Sequence, residues 1–276
     1  MGGYARPSDM NEALARLAEP GCRVLAGGTD LFPGAGARLA GDVVDLTGIA
    51  ALRGISADAT GLRIGACTPW ADLSVADLPP ALRALQQAAR MVGGRQIQNA
   101  GTLGGNLCNA SPAADGVPPL LALDAEVELA SASGQRRMPL AEFLQGPRRT
   151  ALVPGEVLAA VLIPASALRG RSAFVKLGAR AYLVISIAMV AARVVVEEGR
   201  IADAAAAVGS CGPVARRLSA VEAALRGAPV AEVAARVDVA AVAAALAPID
   251  DVRASAAYRA EAAAELVRRA LAEAAA

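Results

Sequence analysis

The chain of 276 residues contains no histidine. That absence excludes a Ser-His-Asp triad, a Cys-His pair and any imidazole metal ligand. Lysine is nearly missing as well: Lys176 is the single lysine, and the other basic residues are all arginine. General acid–base work would fall to carboxylates, tyrosines or that one lysine. An enzyme of this composition would lean on a bound cofactor. The four cysteines, Cys22, Cys67, Cys108 and Cys211, lie far apart and form no CxxC. Iron–sulfur or zinc ligation by this chain is therefore not expected, and the thiols read as small core residues. A net charge of +1 gives no electrostatic reason to expect nucleic acid or an anionic membrane. The most apolar run, Tyr182–Val196, is broken by Arg193 and falls short of the roughly 20 residues that span a bilayer. The N-terminal stretch lacks the basic-then-apolar order of a signal peptide. The expected location is cytoplasmic.

What is present is alanine, 70 of the 276 residues, which accounts for much of the positive mean hydropathy. At 55% apolar and 19% charged, the chain reads as globular, and its length suggests one to two domains. Asp9 and Glu12 form a plausible capping box for a helix that Pro20-Gly21 ends. Cys22–Ala26, Val43–Leu46 and Leu62–Ala66 read as strands. Thr68-Pro69 has the chemistry of a helix start. Pro80–Val92 is an amphipathic helix by its spacing of Leu82, Leu85, Ala89 and Val92. Glycine and asparagine dominate Gly93–Asn109, which predicts tight turns. Ala125–Ala130 with Arg136–Met138 predicts a hairpin, and Val157–Ile163 another strand. Beyond Ala165–Arg171 the pattern predicts a strand over Ser172–Leu177 and a long hairpin turning at Glu197–Arg200. Helices are expected over Val214–Leu225, Val230–Leu246 and Val252–Leu271. A domain boundary is expected near residue 168.

Two glycine loops stand out. Leu25-Ala26-Gly27-Gly28-Thr29-Asp30-Leu31 follows a strand directly. Glycines there let backbone N–H groups approach an anion, and Thr29 adds a hydroxyl. It is not a dinucleotide fingerprint, because GxGxxG is absent and no helix follows promptly. Gly101-Thr102-Leu103-Gly104-Gly105-Asn106 is the second, with a carboxylate, Asp115, just beyond it. Each alone could be an ordinary turn. Together in one domain they favour a shared phosphate-bearing ligand.

Four stretches carry a family resemblance: Tyr4-Ala5-Arg6-Pro7 with Glu12-Ala13; Ala26–Leu31; Gln96-Ile97-Gln98-Asn99 through Asn106, with Ser111-Pro112 and Asp115; and Phe174-Val175-Lys176 with Arg180, then Asp251-Val252-Arg253-Ala254-Ser255 and Tyr258-Arg259. The chain resembles the FAD-binding medium subunit of the molybdenum hydroxylases, the xanthine dehydrogenase and carbon monoxide dehydrogenase family. The resemblance implies an α+β fold. A two-part FAD-binding domain of the vanillyl-alcohol oxidase or PCMH type would occupy residues 1–168, split near 53. A C-terminal domain with a small antiparallel sheet and helices would occupy 169–276. It further implies that Leu25, Ala26, Gly27, Gly28, Thr29, Asp30, Leu31, Thr102, Leu103, Gly104, Gly105 and Asn106 lie along the FAD pyrophosphate. Asp115 would help hold the cofactor, Leu158 would be an apolar residue near the flavin, and Lys176 would reach the FAD. The sequence departs from many members after Arg180, where Ala181–Ser186 contains no acid. Tyr182 could stack on the flavin or on a nicotinamide ring, or be a partly buried tyrosine beside the hairpin. Trp70 matches no motif and is expected in the core.

The implied role is electron transfer within an oxidoreductase. A small partner with two-iron two-sulfur clusters would supply electrons to this chain's FAD, and NAD+ or another acceptor would take them. A large partner with the molybdenum cofactor would hydroxylate the substrate. A self-contained flavoprotein oxidase or reductase, or a flavin-free scaffold, are the alternatives from other classes. Intact Gly27-Gly28 and Gly104-Gly105-Asn106 speak against the scaffold, and no acid–base residue speaks for the self-contained enzyme.

Overall fold

Asp9 starts the first helix, Met10–Leu17, by accepting the Glu12 N–H at 3.0 Å. Only that half of the capping box forms, because the Glu12 carboxylate turns to Arg16 instead. The structure, a computed structural model, describes residues 2–36 and 39–276. Strands Tyr4–Ala5, Arg23–Leu25 and Val43–Asp45 make a small parallel sheet with Val43–Asp45 in the middle. The five-stranded sheet that follows is antiparallel. Its order is Ile55–Asp58, Gly61–Gly65, Val157–Pro164, Glu126–Ser131, Gly134–Pro139. Helices Trp70–Val75, Arg83–Met91, Leu103–Asn109 and Val117–Ala122 accompany it, and a continuous core joins them through Ile64, Leu73, Leu85, Leu103, Leu120 and Val161.

The third sheet is built from Arg171–Leu177, Ala188–Glu197, Arg200–Gly209 and Arg216–Arg217, all antiparallel. The long central hairpin turns at Glu198-Gly199, with Glu198 at φ 50° and Gly199 at φ 73°. Helix Ala256–Ala275 packs its Ala263, Val267 and Ala270 against this sheet. Small side chains at spacings of three and four let helix and sheet approach closely.

Helix Arg83–Met91 lies between the two halves. Its Leu85 and Ala89 belong to the first core. Its Ala84 and Ala88 face Phe174, Met189 and Ala191 of the third sheet. Polar groups cross the same seam: Ser172 Oγ accepts the Ala84 N–H at 2.8 Å, and Gln87 Oε1 accepts the Phe174 N–H at 2.7 Å. Arg193 donates to the Ala122 carbonyl and Arg217 to the Leu121 carbonyl, at the C-terminal end of helix Val117–Ala122. Cations there answer the helix's unsatisfied carbonyls and negative end.

Three sequence expectations change. Gly93–Asn109 holds two short helices, Arg95–Ala100 and Leu103–Asn109, rather than turns alone. Thr102 makes the second possible: as N-cap, its Oγ1 accepts the Gly105 N–H at 3.1 Å,. Thr68 does not cap the helix after it; its hydroxyl bonds the backbone of Gly54, and Pro69 occupies the cap position. The alanine-rich tail is less helical than expected. Arg216–Arg217 is a strand, and Val230–Glu232 is a single 3₁₀ turn. Helices there are confined to Ser219–Leu225, Val239–Ala244 and Ala256–Ala275. The gap at Gly227–Pro229 falls where expected, whereas the expected helix Val230–Leu246 is interrupted before Asp238, whose side chain caps Val239–Ala244,. No helix among the described residues is long and apolar enough to cross a membrane.

Candidate functional site

The two glycine loops meet. Gly27 lies so close to the Ala100 carbonyl that no Cβ could be placed there, and Thr29 Oγ1 sits beside Gly101. Their junction forms one end of a cleft of about 500 Å³. Ala26–Leu31, Thr102, Gly104, Gly105, Asn106 and Leu158 all line it. The remaining wall is largely apolar, with Trp70, Val92, Ile97, Leu152 and Val157, while Arg23 and Glu156 add charge at its edge.

The loops differ in what they offer a ligand. In the first, no bond from the amides of Gly27, Gly28, Thr29, Asp30 or Leu31 to an acceptor is found among the described residues. Gly28 takes φ +70°, the left-handed region that glycine adopts without strain,. Five free amides beside a cleft are a donor set suited to a diphosphate. In the second loop the amides from Leu103 to Asn106 are spent. Leu103 N–H donates to Thr68 O, Gly104 N–H to Ala66 O and Asn106 N–H to Thr102 O, at 3.0, 2.8 and 3.1 Å. Gly104 is required by packing, because a Cβ would meet Ala66. Thr102 and Asn106 still line the cleft, and the Thr102 Oγ1 accepts the Gly105 N–H. The Asn106 Oδ1 is buried and has no partner. An orphaned amide oxygen at a cleft wall is the kind of group a bound ligand satisfies. Free amides, an orphaned amide and apolar walls together fit a dinucleotide with a ring system.

Four expected residues do not line the cleft. Leu25 and Leu103 point into the core. Asp115 and Lys176 form a pair directly behind the wall. Lys176 Nζ donates to Asp115 Oδ2 at 2.7 Å and to the Met91 carbonyl at 3.3 Å. The Lys176 and Asp115 side chains are 4% and 9% exposed, so the pair is shielded from water. Burial pushes the Asp115 carboxyl above its ordinary value, against the opposing pull of Lys176 and of the Ser186 hydroxyl,.

Sequence reasoning missed Glu156 and the role of Trp70. Glu156 is held by Arg136 through two bonds of 2.7 and 2.8 Å, which keep its carboxyl below the usual range. No motif marks it; only its place before Val157 and Leu158 in the strand could have suggested it. Trp70 is buried as expected, yet its ring forms wall as well as core. Cys108 departs from the core reading, because it is exposed and lines the cleft. Tyr182 is 75% exposed and so is not partly buried. Among the described residues no cluster of His, Cys, Asp or Glu could hold a metal ion.

Residues 1–166 match the family described as the FAD binding domain in molybdopterin dehydrogenase. Residues 172–274 match the CO dehydrogenase flavoprotein C-terminal domain. The chain is 33% identical over 234 residues to the xanthine dehydrogenase FAD-binding subunit of Escherichia coli O157:H7, spanning 82% of this chain and 80% of that protein. It is 35% identical over 194 residues to the nicotinate dehydrogenase FAD-subunit of Eubacterium barkeri, spanning 68% of this chain and 66% of that one. The solved structure of reconstituted CO dehydrogenase from Oligotropha carboxidovorans superposes with a TM-score of 0.92 at 30% identity, covering 100% of this chain and 98% of that one. The free amides and orphaned amide thus sit in a fold whose family is defined by its cofactor: the chain belongs to the FAD-binding medium subunits of the molybdenum hydroxylases.

Proposed function

We propose that this chain is the electron-transfer subunit of a cytoplasmic, multi-subunit molybdenum hydroxylase. It takes electrons from two-iron two-sulfur clusters of a small partner and passes them to NAD+ or another acceptor. A large partner with the molybdenum cofactor hydroxylates the substrate. Bound FAD supplies the chemistry of accepting single electrons and releasing them as a pair. The observation that carries this reading is that Gly27 to Leu31 line the cleft and their amides have no acceptor among the described residues.

Each element of the site has a binding task. The free amides and Arg23 receive the diphosphate. Asn106 Oδ1 and the Thr102 hydroxyl orient the neighbouring groups, and Leu158 with Trp70 excludes water from the apolar wall. Asp115 and Lys176 place a charge pair behind the wall, and Lys176 has a donor direction to spare for the cofactor. In the proposed division, residues 1–168 bind the cofactor in two parts split near 53, and residues 169–276 contribute Lys176 from the far side of the seam.

Purification of the complex from its native source tests the reading. Small and large subunits carrying iron and molybdenum should accompany this chain, and the chain should be yellow. A chain that purifies alone and stays colourless when titrated with FAD would sink it. Turnover of a small molecule by the isolated flavin-loaded chain would favour a self-contained enzyme.

A further inference from the structure

We propose that Ser186 is a positioning residue: its hydroxyl holds the Asp115 carboxylate and, through it, the Lys176 ammonium at the wall of the FAD cleft. This rests on the reading of Lys176 as a cofactor contact. Ser186 is fully buried, and its Oγ donates to Asp115 Oδ1 at 2.7 Å. Lys176 takes the other oxygen, Oδ2, also at 2.7 Å. The carboxylate is thus gripped at both oxygens by donors from the third sheet and the segment that follows its first strand.

The grip sits close to the ligand side. Asp115 precedes Gly116, and a Cβ on Gly116 would stand 3.0 Å from the orphaned Asn106 Oδ1. Lys176 also donates to Met91 O, one residue before Val92, and both Val92 and Asn106 line the cleft. An ammonium has three donor directions. Two are used, and the third has no partner among the described residues.

Ser186 is itself held firmly, although Arg180–Leu183 beside it are exposed. Its carbonyl accepts from Arg253 Nη1 at 3.1 Å. The next carbonyl, Ile187 O, accepts from the buried Arg259 Nη1 at 2.6 Å, and the Ile187 N–H donates to Leu177 O at 2.8 Å. Arg253 and Arg259 are in turn bridged by Asp251. The Asp251–Arg259 motif thus fixes the backbone that presents the Ser186 hydroxyl.

The chemistry gives that hydroxyl a purpose beyond filling space. Burial favours the neutral form of Asp115, and a donated hydrogen bond favours the charged form,. Without the Ser186 hydroxyl, Asp115 drifts towards the neutral acid or rotates away. The buried Lys176 then loses its counter-charge and its anchor.

The test uses the full chain titrated with FAD, with the midpoint potential of the bound flavin as a second readout. Ser186→Ala should weaken FAD binding about tenfold, the scale of a hydrogen bond to a charged group. It should also shift the flavin potential away from the wild-type value. Added to Asp115→Asn, Ser186→Ala should have no further effect, the sign of direct coupling. Ser186→Cys keeps the bulk but weakens the donor; it should fall between wild type and alanine, and it replaces alanine if that variant does not fold. Lys176→Ala separates the two readings. If it weakens binding while both Ser186 variants bind FAD at the wild-type potential and affinity, Ser186 has no positioning role. If Lys176→Ala binds FAD as wild type does, the cofactor contact itself is refuted. Effects of Ser186→Ala and Asp115→Asn that simply add would reduce Ser186 to packing and overturn the proposal.

Discussion

The two glycine loops read alike as sequence and behave differently in the fold. Gly27–Leu31 is irregular backbone whose amides have no acceptor among the described residues. Thr102–Asn106 is the start of a helix in which the amides of Leu103, Gly104, Gly105 and Asn106 are already taken. Glycine serves opposite ends in the two places. At Gly28 it permits a left-handed backbone in the loop that lines the cleft. At Gly104 it permits the helix to touch Ala66. A Gly-Gly pair beside a ligand is therefore no proof that both glycines face it; the accounting of backbone donors decides.

The contrast can be broken by substitution, with the melting temperature of the FAD-free chain and the FAD dissociation constant read together. Gly104→Val should have the largest effect. Its side chain intrudes on Ala66, and overpacking of this kind costs about 1–3 kcal/mol,. At about 2–4 °C per kcal/mol the melting temperature should fall by several degrees. Wild-type melting with lost FAD affinity would make the second loop a ligand cradle after all. Gly28→Ala comes next. A non-glycine residue at this φ costs about 1–2 kcal/mol, and the misdirected amides should weaken FAD binding more than stability alone explains. A variant that loses stability but binds FAD normally would show that the first loop's amides serve the fold. Asn106→Ala should have the smallest effect on stability, because its Oδ1 is unpaired when the cleft holds no ligand. FAD binding should nevertheless weaken by about fivefold to tenfold, the loss of one hydrogen bond of ~1 kcal/mol. Unchanged affinity would take Asn106 out of the site.

Much of the architecture was legible because strong local patterns met no competition. The hairpin across Glu197–Arg200 has long apolar arms and a Glu-Gly turn, and both arms form as expected. Asp9 caps where its spacing says it should. The misreadings have physical causes. Gly93–Asn109 looks like turns because glycine is a poor helix former. Tertiary contacts of Leu103 and Leu107, with the Thr102 cap, outweigh that preference. Alanine favours helices wherever it occurs, so it hid the break before Asp238 and the strand at Arg216–Arg217. For the site, residue identity gave away the loops but not the donors. Which amides are free depends on Thr68 and Ala66, residues some 35–40 positions away in the chain from the loop they satisfy. Lys176 illustrates the same limit: its rarity is visible in the sequence, its partnership with Asp115 and Ser186 only in space.

The order of strands in the five-stranded sheet has a consequence for how the protein is made. Its middle strand, Val157–Pro164, is supplied last, between Gly61–Gly65 and Glu126–Ser131. Until Pro164 has left the ribosome, the two hairpins either side have nothing to join them, and their inner edges stand open. Long-range pairing of this kind is slow and leaves strand edges exposed while it waits. A nascent chain stalled within that window would present two unpaired β edges to its neighbours,.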